Sequence, residues 1–172
     1  MLISEAYREQ NRLLHAANEH YGVSGAKWRE RVRRLSDWGR KAILDYGAGK
    51  ATLSASLGPA YRVTSYDPCI EGIDQPPQPH PIVFCGDVLE HVEPDCLADV
   101  LRHLGGLTEE AALLVVHLGP AIKTLPDGRN AHLIQKPASW WAGELTGHGL
   151  RIVESDATAN EAWFVVRPEA RQ

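Results

Sequence analysis

The first 40 residues carry two segments in which apolar side chains recur every three or four positions, the spacing of an amphipathic helix. We predict one helix over residues 4–20 and another over residues 25–38. The apolar stripe of the first helix comprises Ala6, Leu13, Leu14 and Ala17. That of the second comprises Trp28, Val32, Leu35 and Trp38, and Gly39 ends this helix.

Beyond residue 41 the pattern changes to short apolar runs separated by helical segments. The runs predict six strands, at residues 42–46, 61–66, 82–85, 111–118, 150–154 and 162–166. Helices are predicted at residues 52–57, 94–104 and 137–147. Strands that alternate with helices are typical of an α/β sandwich with a mainly parallel sheet. No helix separates the last two strands, so we expect them to form a closing antiparallel hairpin.

Two stretches between these elements are predicted to be irregular. Four prolines within residues 75–81 argue against a helix or a central strand there. Residues 119–136 contain Gly119-Pro120 and Asp127-Gly128 and form a long polar loop. Because long loops in compact domains are usually functional, this loop is a candidate part of the site.

The length of 172 residues fits a single domain, 1–172, with a helical cap over residues 1–40 and a sheet over residues 41–168. No apolar run approaches the roughly 20 residues that cross a bilayer. The first ten residues lack an apolar signal core, so we expect a cytoplasmic protein that does not enter a membrane. Three cysteines without a Cys-x-x-Cys pair favour reduced thiols over a zinc knuckle.

Charge is distributed unevenly along the chain. Residues 1–41 contain nine basic and five acidic side chains, a net charge of +4. Because the whole chain has a net charge of −4, the remaining residues carry −8. Such a basic segment either binds a polyanion, for example nucleic acid, or forms a solvated helix face. The interspersed acids leave both interpretations open.

A glycine-rich turn follows the first predicted strand, in the sequence 43–49, Ile-Leu-Asp-Tyr-Gly-Ala-Gly. Glycines after a strand and before a helix let the backbone approach a ligand closely. A P-loop would need glycine at position 44 and a hydroxyl after Lys50, where the chain has Leu44 and Ala51. A dinucleotide fingerprint would need a third glycine at Thr52, which weakens that alternative without excluding it.

The remaining form, Asp-x-Gly-x-Gly, resembles the first motif of the class I S-adenosylmethionine-dependent methyltransferases. The resemblance implies that Asp45, Gly47, Ala48 and Gly49 lie against the methionine and ribose parts of that cofactor. Ala51 departs from the family, which often has a third glycine there. Asp67-Pro68 follows the next predicted strand, and a carboxylate at this position can accept two hydrogen bonds from a ribose diol.

A second match runs from Val83 to Val92 and contains 87–91, Asp-Val-Leu-Glu-His. It resembles the segment that lines the methyl-transfer cleft in the same family, which assigns Asp87 and Val88 to the cofactor. The resemblance then spans residues 42–166 and implies a Rossmann-like methyltransferase sandwich of about six strands with two N-terminal helices.

The family's third strand has no counterpart in this chain. Only residues 68–81 precede the strand at position 82, so we expect the family order 3-2-1-4-5-7-6 to become 2-1-4-5-7-6. The family's adenine-binding acid normally follows the lost strand. Cys69, Ile70 or Asp87 is expected to line the adenine instead.

Some members of the family hold a divalent metal ion with an acid-x-x-Glu-His segment, and small-RNA 2′-O-methyltransferases add a later histidine. The resemblance implies catalytic or metal-binding roles for Glu90, His91 and His132, with Asp87 as the first acid. The same segment occurs in metal-free members, where these residues only shape the pocket, so both alternatives stay open. Further candidates are Asp127, Arg129, Asn130 and His117, the last of which we expect to be structural.

Adjacent tryptophans, Trp140 and Trp141, cannot share one helix face. We expect one to pack on the sheet and the other either to roof the substrate cleft or to pack as well.

The resemblance implies an S-adenosylmethionine-dependent methyltransferase that modifies an oxygen or nitrogen atom of a small molecule, a nucleotide or a nucleic acid. The truncated sheet is similar to compact members of phage or prophage origin. The alternative is a non-catalytic regulatory or assembly protein that binds the same cofactor. Because the chain is short, we expect the N-terminal helices, the 119–136 loop and a second subunit of a homodimer to contribute to substrate recognition.

Overall fold

Six strands form one sheet in the computed structural model, which describes residues 1–19 and 21–169. The strands are β1 (Ile43–Tyr46), β2 (Val63–Tyr66), β3 (His80–Gly86), β4 (Thr108–His117), β5 (Leu150–Ala157) and β6 (Glu161–Pro168). The α-helices are α1 (Glu5–Ala17), α2 (Arg29–Leu35), α3 (Thr52–Leu57), α4 (Leu97–Leu107) and α5 (Ala138–Gly147). Short 3₁₀ helices occupy Ser24–Trp28, Leu89–His91 and Pro94–Cys96. His20, the predicted last residue of the first helix, and residues 170–172 of the predicted domain lie outside the described residues.

The strand order is β2-β1-β3-β4-β6-β5. Strands β2, β1, β3 and β4 are parallel, and β6 runs antiparallel to both β4 and β5. This confirms the mainly parallel sheet, the closing hairpin and the order expected after loss of the third strand. Within the described chain, the segment from Asp67 to Pro79 contains neither helix nor strand. The carboxyl ends of the four parallel strands meet at one edge, where α/β proteins bind their ligands.

The Pro-rich segment reaches into a central strand, contrary to the prediction for residues 75–81. Strand β3 begins at His80, and Pro81 is its second residue. The register between β3 and β4 shifts between His80 and Ile82. Proline is tolerated at such an irregularity at the start of a strand, because its missing N–H removes no regular ladder bond.

Apolar side chains cover both faces of the sheet. One core contains α4 and α5 and includes Trp141 and Leu101, both fully buried. The other core contains α2 and α3 and includes Val32 and Leu53. Within the described residues, no helix is long and apolar enough to span a membrane.

The buried face of α1 differs from the predicted apolar stripe. Its buried residues are Tyr7 and Asn11, whereas Leu13, like Ala6 and Ala17, is exposed. The buried amide group of Asn11 has hydrogen-bond partners, because its Nδ2 donates to the Tyr7 carbonyl and its Oδ1 accepts from the Tyr21 hydroxyl. Periodicity arguments count asparagine as a surface residue and so miss this face.

Helix α2 ends at Leu35, earlier than predicted. Asp37 and Trp38 follow with left-handed backbone, at φ values of 50° and 55°. This turn separates Trp38 from the buried stripe of Trp28 and Val32, and Trp38 is 64% exposed. The prediction that Trp38 belongs to the stripe is therefore wrong.

Ion pairs engage most basic side chains of residues 1–41. Eight of the nine lie within 4 Å of a carboxylate, in the pairs Arg8–Glu5, Arg12–Glu9, Lys27–Glu161, Arg29–Glu30, Arg31–Glu154, Arg33–Glu30, Arg40–Asp37 and Lys41–Glu110. Arg31 also lies 3.5 Å from the ring centre of Trp163 in β6. Lys27 and Arg31 tie the cap to the hairpin, and five of the eight pairs lie within residues 1–41. This pairing favours the solvated-face interpretation over a polyanion site.

We predict that Ala51→Gly stabilises the protein by about 0.5–1 kcal/mol. Ala51 precedes α3 with left-handed backbone at φ 52°, a conformation that strains any residue with a Cβ atom. The free energy of unfolding from urea titration measures the effect. The matched control is Ala55→Gly, within α3, where the same substitution should destabilise by about 0.5–1 kcal/mol. A loss of stability in both variants would show that Ala51 is not strained.

Candidate functional site

A cavity of about 530 Å³ opens at the carboxyl edge of the parallel strands. Eleven of the residues that the sequence assigned to a site line it, namely Asp45, Gly47, Ala48, Gly49, Asp67, Pro68, Asp87, Val88, Glu90, His91 and His132. The turns after β1, β2 and β3 and the loop after β4 therefore converge on one space.

The segment that follows α1 packs against the glycine turn after β1. Gly47 and Gly49 have φ values of 74° and 52°, which favour glycine. A Cβ atom on Gly49 would lie 2.6 Å from the carbonyl oxygen of Gly22, and Lys50 N–H donates to that oxygen at 2.9 Å. The cap thus packs directly on the glycine turn, at a separation that only glycine permits.

Asp67 is fixed at the end of β2 by two backbone donors. Its Oδ2 accepts from Gly49 N–H at 3.1 Å and its Oδ1 accepts from Cys69 N–H at 2.9 Å. Each carboxylate oxygen has a second lone pair, so the group can still accept hydrogen bonds from a diol in the cavity.

Asp45 is a buried carboxyl group with an unused acceptor. It is 2% exposed, and its Oδ2 has no hydrogen-bond partner in the described structure. Burial, assisted by the negative charge of Asp67, raises the pKa of Asp45 to about 7. A positively charged ligand group in the cavity would favour the ionised form.

Glu90 lies in the 3₁₀ helix after β3 and is completely buried. Its Oε1 accepts from the backbone N–H of His117, at the end of β4, at 2.9 Å, whereas Oε2 has no partner in the described structure. Burial, and secondarily the charge of Asp87, raises the pKa of Glu90 well above its usual range. A cation beside this carboxyl group would favour its ionised form.

His91 and His132 both hold Nδ1 against a backbone carbonyl. Nδ1 of His91 lies 2.8 Å from the Ala131 carbonyl oxygen, and Nδ1 of His132 lies 2.7 Å from that of Gly119. Because a carbonyl only accepts, Nδ1 carries the proton in both rings and Nε2 keeps a lone pair. Ligand atoms of Glu90, His91 and His132 all lie within 4.8 Å of one another.

Burial disfavours the charged form of both imidazoles. It lowers the pKa of His91 to about 3, with a further contribution from His132, and it also lowers the pKa of His132. A neutral pair of imidazoles beside a buried carboxyl group is a donor set that suits a divalent transition metal. Asp87, the first acid of the sequence pattern, lines the cavity but does not belong to this cluster.

Comparison with known proteins gives structural matches alone: no family model and no curated sequence matches the chain. A Burkholderia thailandensis 1,6-didemethyltoxoflavin-N1-methyltransferase, solved with 1,6-didemethyltoxoflavin and S-adenosylhomocysteine, has a TM-score of 0.71 at 15% identity, covering 99% of this chain and 92% of that one. DhpI with bound SAH has a TM-score of 0.69 at 19% identity, covering 98% and 100%. The magnesium protoporphyrin IX methyltransferase of Synechocystis PCC 6803 has a TM-score of 0.60 at 19% identity, covering 84% of each chain.

The chain has the fold of the class I S-adenosylmethionine-dependent methyltransferases. The same fold is also matched by the [4+2]-cyclase SpnF, at a TM-score of 0.62 and 9% identity over 85% of this chain and 81% of that one. The fold alone therefore does not decide the reaction, which must be argued from the site.

Several residues of this methyltransferase-fold cavity were not found from the sequence. Tyr7, Asn11, His15 and Tyr21 line it from the cap, as does Lys123 from the 119–136 loop. No sequence motif marks the cap residues. The only available signal was the i, i+4 spacing of Tyr7 and Asn11, which becomes visible once asparagine is allowed on a buried face.

Other sequence candidates lie outside the cavity or have a structural role. Asp127 and Arg129 pair with each other, and Asn130 braces the loop by bonding to the backbone of Ala121. Ile70 does not line the cavity, whereas Cys69 and Asp87 do. His117 lines it as well, and its backbone N–H holds Glu90.

The two tryptophans do not roof the cavity. Trp141 is buried in the core beside α4, and Trp140 lies in a separate groove next to Lys136 and Glu144. The prediction that one of them packs on the sheet is confirmed, and the alternative of a roof over the cleft is wrong.

We predict that Asp45→Asn changes the pH dependence of stability in the ligand-free protein. The folded-state pKa of Asp45 is raised to about 7 from 3.8, so the folded protein holds this proton more tightly than the unfolded chain does. The resulting stabilisation of the folded state is present at low pH and is lost as pH rises through 7. Protonation of Asp45 makes the free energy of unfolding roughly 2–3 kcal/mol larger at pH 5 than at pH 8, and the variant should lose this difference. Urea titrations at both pH values measure the difference.

Asp156→Asn, on the exposed strand β5, is the control and should leave the pH profile unchanged. An unaltered profile in Asp45→Asn would contradict the raised pKa.

Proposed function

We propose that the protein transfers the methyl group of S-adenosylmethionine to an oxygen or nitrogen atom of a small molecule. The observation that carries this proposal is the meeting, in one cavity, of the glycine turn and acids after β1 and β2 with the Glu90–His91–His132 cluster. A cofactor cradle and a reactive cluster in the same space are what a transfer reaction requires.

The cofactor side of the cavity suits a ligand with positive charge. S-adenosylmethionine carries an ammonium and a sulfonium group and supplies a methyl group that is already activated. Asp45, with its unused Oδ2, can accept from the ammonium group, and Asp67, held by Gly49 and Cys69, can accept from the ribose hydroxyls. These two residues bind and orient, which is most of what such a displacement needs.

On the acceptor side, Glu90, His91 and His132 can act on the proton of a substrate hydroxyl or amine. With a pKa of about 3, His91 is a poor base at neutral pH, so its Nε2 acts as a hydrogen-bond acceptor or a ligand.

A divalent metal ion fits the same three residues. The orphaned Oε2 of Glu90 and the two free Nε2 atoms would hold it, and the backbone carbonyls on Nδ1 would fix the ring orientations. Such an ion would lower the pKa of a bound hydroxyl group. Two nitrogen ligands favour Zn²⁺, Mn²⁺ or Co²⁺ over Mg²⁺, which prefers oxygen.

Structural neighbours support a small-molecule acceptor. The Burkholderia thailandensis neighbour was solved with 1,6-didemethyltoxoflavin bound together with S-adenosylhomocysteine, and this chain covers 92% of it. In the present chain, the ion pairs of the cap leave few basic groups for a nucleic acid.

Isothermal titration calorimetry with S-adenosylhomocysteine tests the cofactor assignment. We expect binding at micromolar affinity, weakened about tenfold or more in Asp67→Asn, which loses charge-assisted hydrogen bonds to backbone N–H groups. Asp74→Asn, in the same irregular segment but away from the cavity, should bind like the wild type. Absence of binding would overturn the proposal, and cofactor binding without methyl transfer would favour the regulatory alternative.

The metal assignment is tested by equilibrium dialysis followed by elemental analysis. We expect close to one equivalent of Mn²⁺ or Zn²⁺ per chain in the wild type and a loss of at least tenfold in affinity in His91→Ala and in His132→Ala. His148→Ala, beside the end of α5, is the control and should retain the metal. Stoichiometric binding by both site variants would rule out the cluster as the metal site, and so would methyl transfer that is insensitive to excess chelator.

A further inference from the structure

Acidic side chains outnumber basic ones along the cavity. Five acids line it, against a single lysine, Lys123; they are Asp45, Asp67, Asp87, Glu90 and Glu93. Of the residues that the structure describes, no arginine lines the cavity; Arg129, near Tyr7, is paired with Asp127. A phosphate group carries about −1.5 to −2 charges at neutral pH. A phosphorylated acceptor would find no arginine fork here, and it would place a further negative charge among acidic side chains.

Flat rings surround the point at which Glu90, His91 and His132 meet. The ring of His91 stands nearly perpendicular to that of His132, with centroids 4.7 Å apart, and to that of Tyr21, with centroids 5.7 Å apart. The ring of His117 lies 4.9 Å from that of His132. Walls made of π faces and ring edges pack best against another planar ring.

Most polar atoms on this side of the cavity already have protein partners. The Tyr7 hydroxyl donates to the His91 carbonyl, the Tyr21 hydroxyl donates to Asn11 Oδ1, and Asn11 Nδ2 donates to the Tyr7 carbonyl. The acceptors left over are Nε2 of the two histidines and Oε2 of Glu90. Ligand atoms of these three residues lie within 4.8 Å of one another, in one place. A ligand on this side therefore needs one polar group at that place and an apolar body elsewhere.

The entrance to the cavity is apolar. Leu2 and Ile3, before α1, line it together with Val23 and Ile122. Val23 is 40% exposed and Ile122 is fully exposed, although large apolar side chains are usually covered. Because this rim and the reactive cluster line the same cavity, the apolar part of an acceptor would lie against the rim.

We propose that the methyl acceptor is a neutral aromatic compound with a ring hydroxyl group, and not a nucleotide or a nucleic acid. The proposal rests on the methyl-transfer function proposed above. The bond from the sulfonium to the methyl carbon breaks with its electron pair remaining on sulfur, and a bond forms between that carbon and the ring oxygen. The hydroxyl proton passes to water, so the products are an aryl methyl ether, S-adenosylhomocysteine and a proton.

A matched pair of probes tests the acceptor class: 2-naphthol, a neutral planar phenol, and 2-naphthyl phosphate, the same ring with a phosphate group. Fluorescence titrations are performed at pH 7 on protein saturated with S-adenosylhomocysteine, whose binding is first measured on the same sample. We expect 2-naphthol to bind at least tenfold more tightly than the phosphate. Equal or tighter binding of the phosphate, or no binding of 2-naphthol, would overturn the acceptor class while leaving the cofactor assignment intact. Failure of S-adenosylhomocysteine itself to bind would overturn the methyl-transfer function and this proposal with it.

The role of the rim is tested by Ile122→Ser, which should weaken 2-naphthol binding threefold or more without changing the affinity for S-adenosylhomocysteine. The control is Val153→Ser, an apolar residue on β5 that is 43% exposed and does not line the cavity. It should leave both affinities unchanged, and equal effects of the two variants would contradict the contact with the rim.

Discussion

A single buried carboxyl group, that of Glu90, joins the segments that form the reactive side of the cavity. Its side chain accepts from the end of β4, and its backbone carbonyl accepts from Ile134 in the loop that follows. The neighbouring His91 holds the same loop through Ala131. Because an unpaired buried charge is costly, these bonds and a neutral or cation-bound state of Glu90 are needed for the site to persist. The geometry of His132 depends on this arrangement.

The cap is part of the site and does not merely cover the sheet. Gly22 packs on Gly49 at a distance that excludes a Cβ atom, and Tyr7 and Tyr21 approach His91 from the same side. The ion pairs Lys27–Glu161 and Arg31–Glu154 hold the cap against the hairpin at its far end. Two basic side chains of the cap therefore serve internal attachment, and most ionisable side chains in the cavity besides histidine and tyrosine are acids.

The elements that local pattern determines were predictable, and those that depend on tertiary packing were not. The strand–turn signal around Asp45 and the Asp-Val-Leu-Glu-His segment led to the fold, the strand order and eleven residues that line one cavity. Asn11 was missed because only the hydrogen bonds of the folded chain make its burial favourable. Trp38 was misassigned because the spacing of apolar residues does not reveal the left-handed backbone at Asp37 that ends the helical pattern. Pro81 entered a central strand because an irregular register removed the need for its N–H.

Strand β2 lies at one edge of the sheet, opposite β5. Open edges of sheets invite pairing with another chain, and proteins limit this with short, charged or bulged edge strands. Strand β2 has only four residues, and β5 carries Arg151, Glu154 and Asp156 together with a register shift after Ile152. Neither edge favours strand addition, so self-association of this chain would have to use its helical faces.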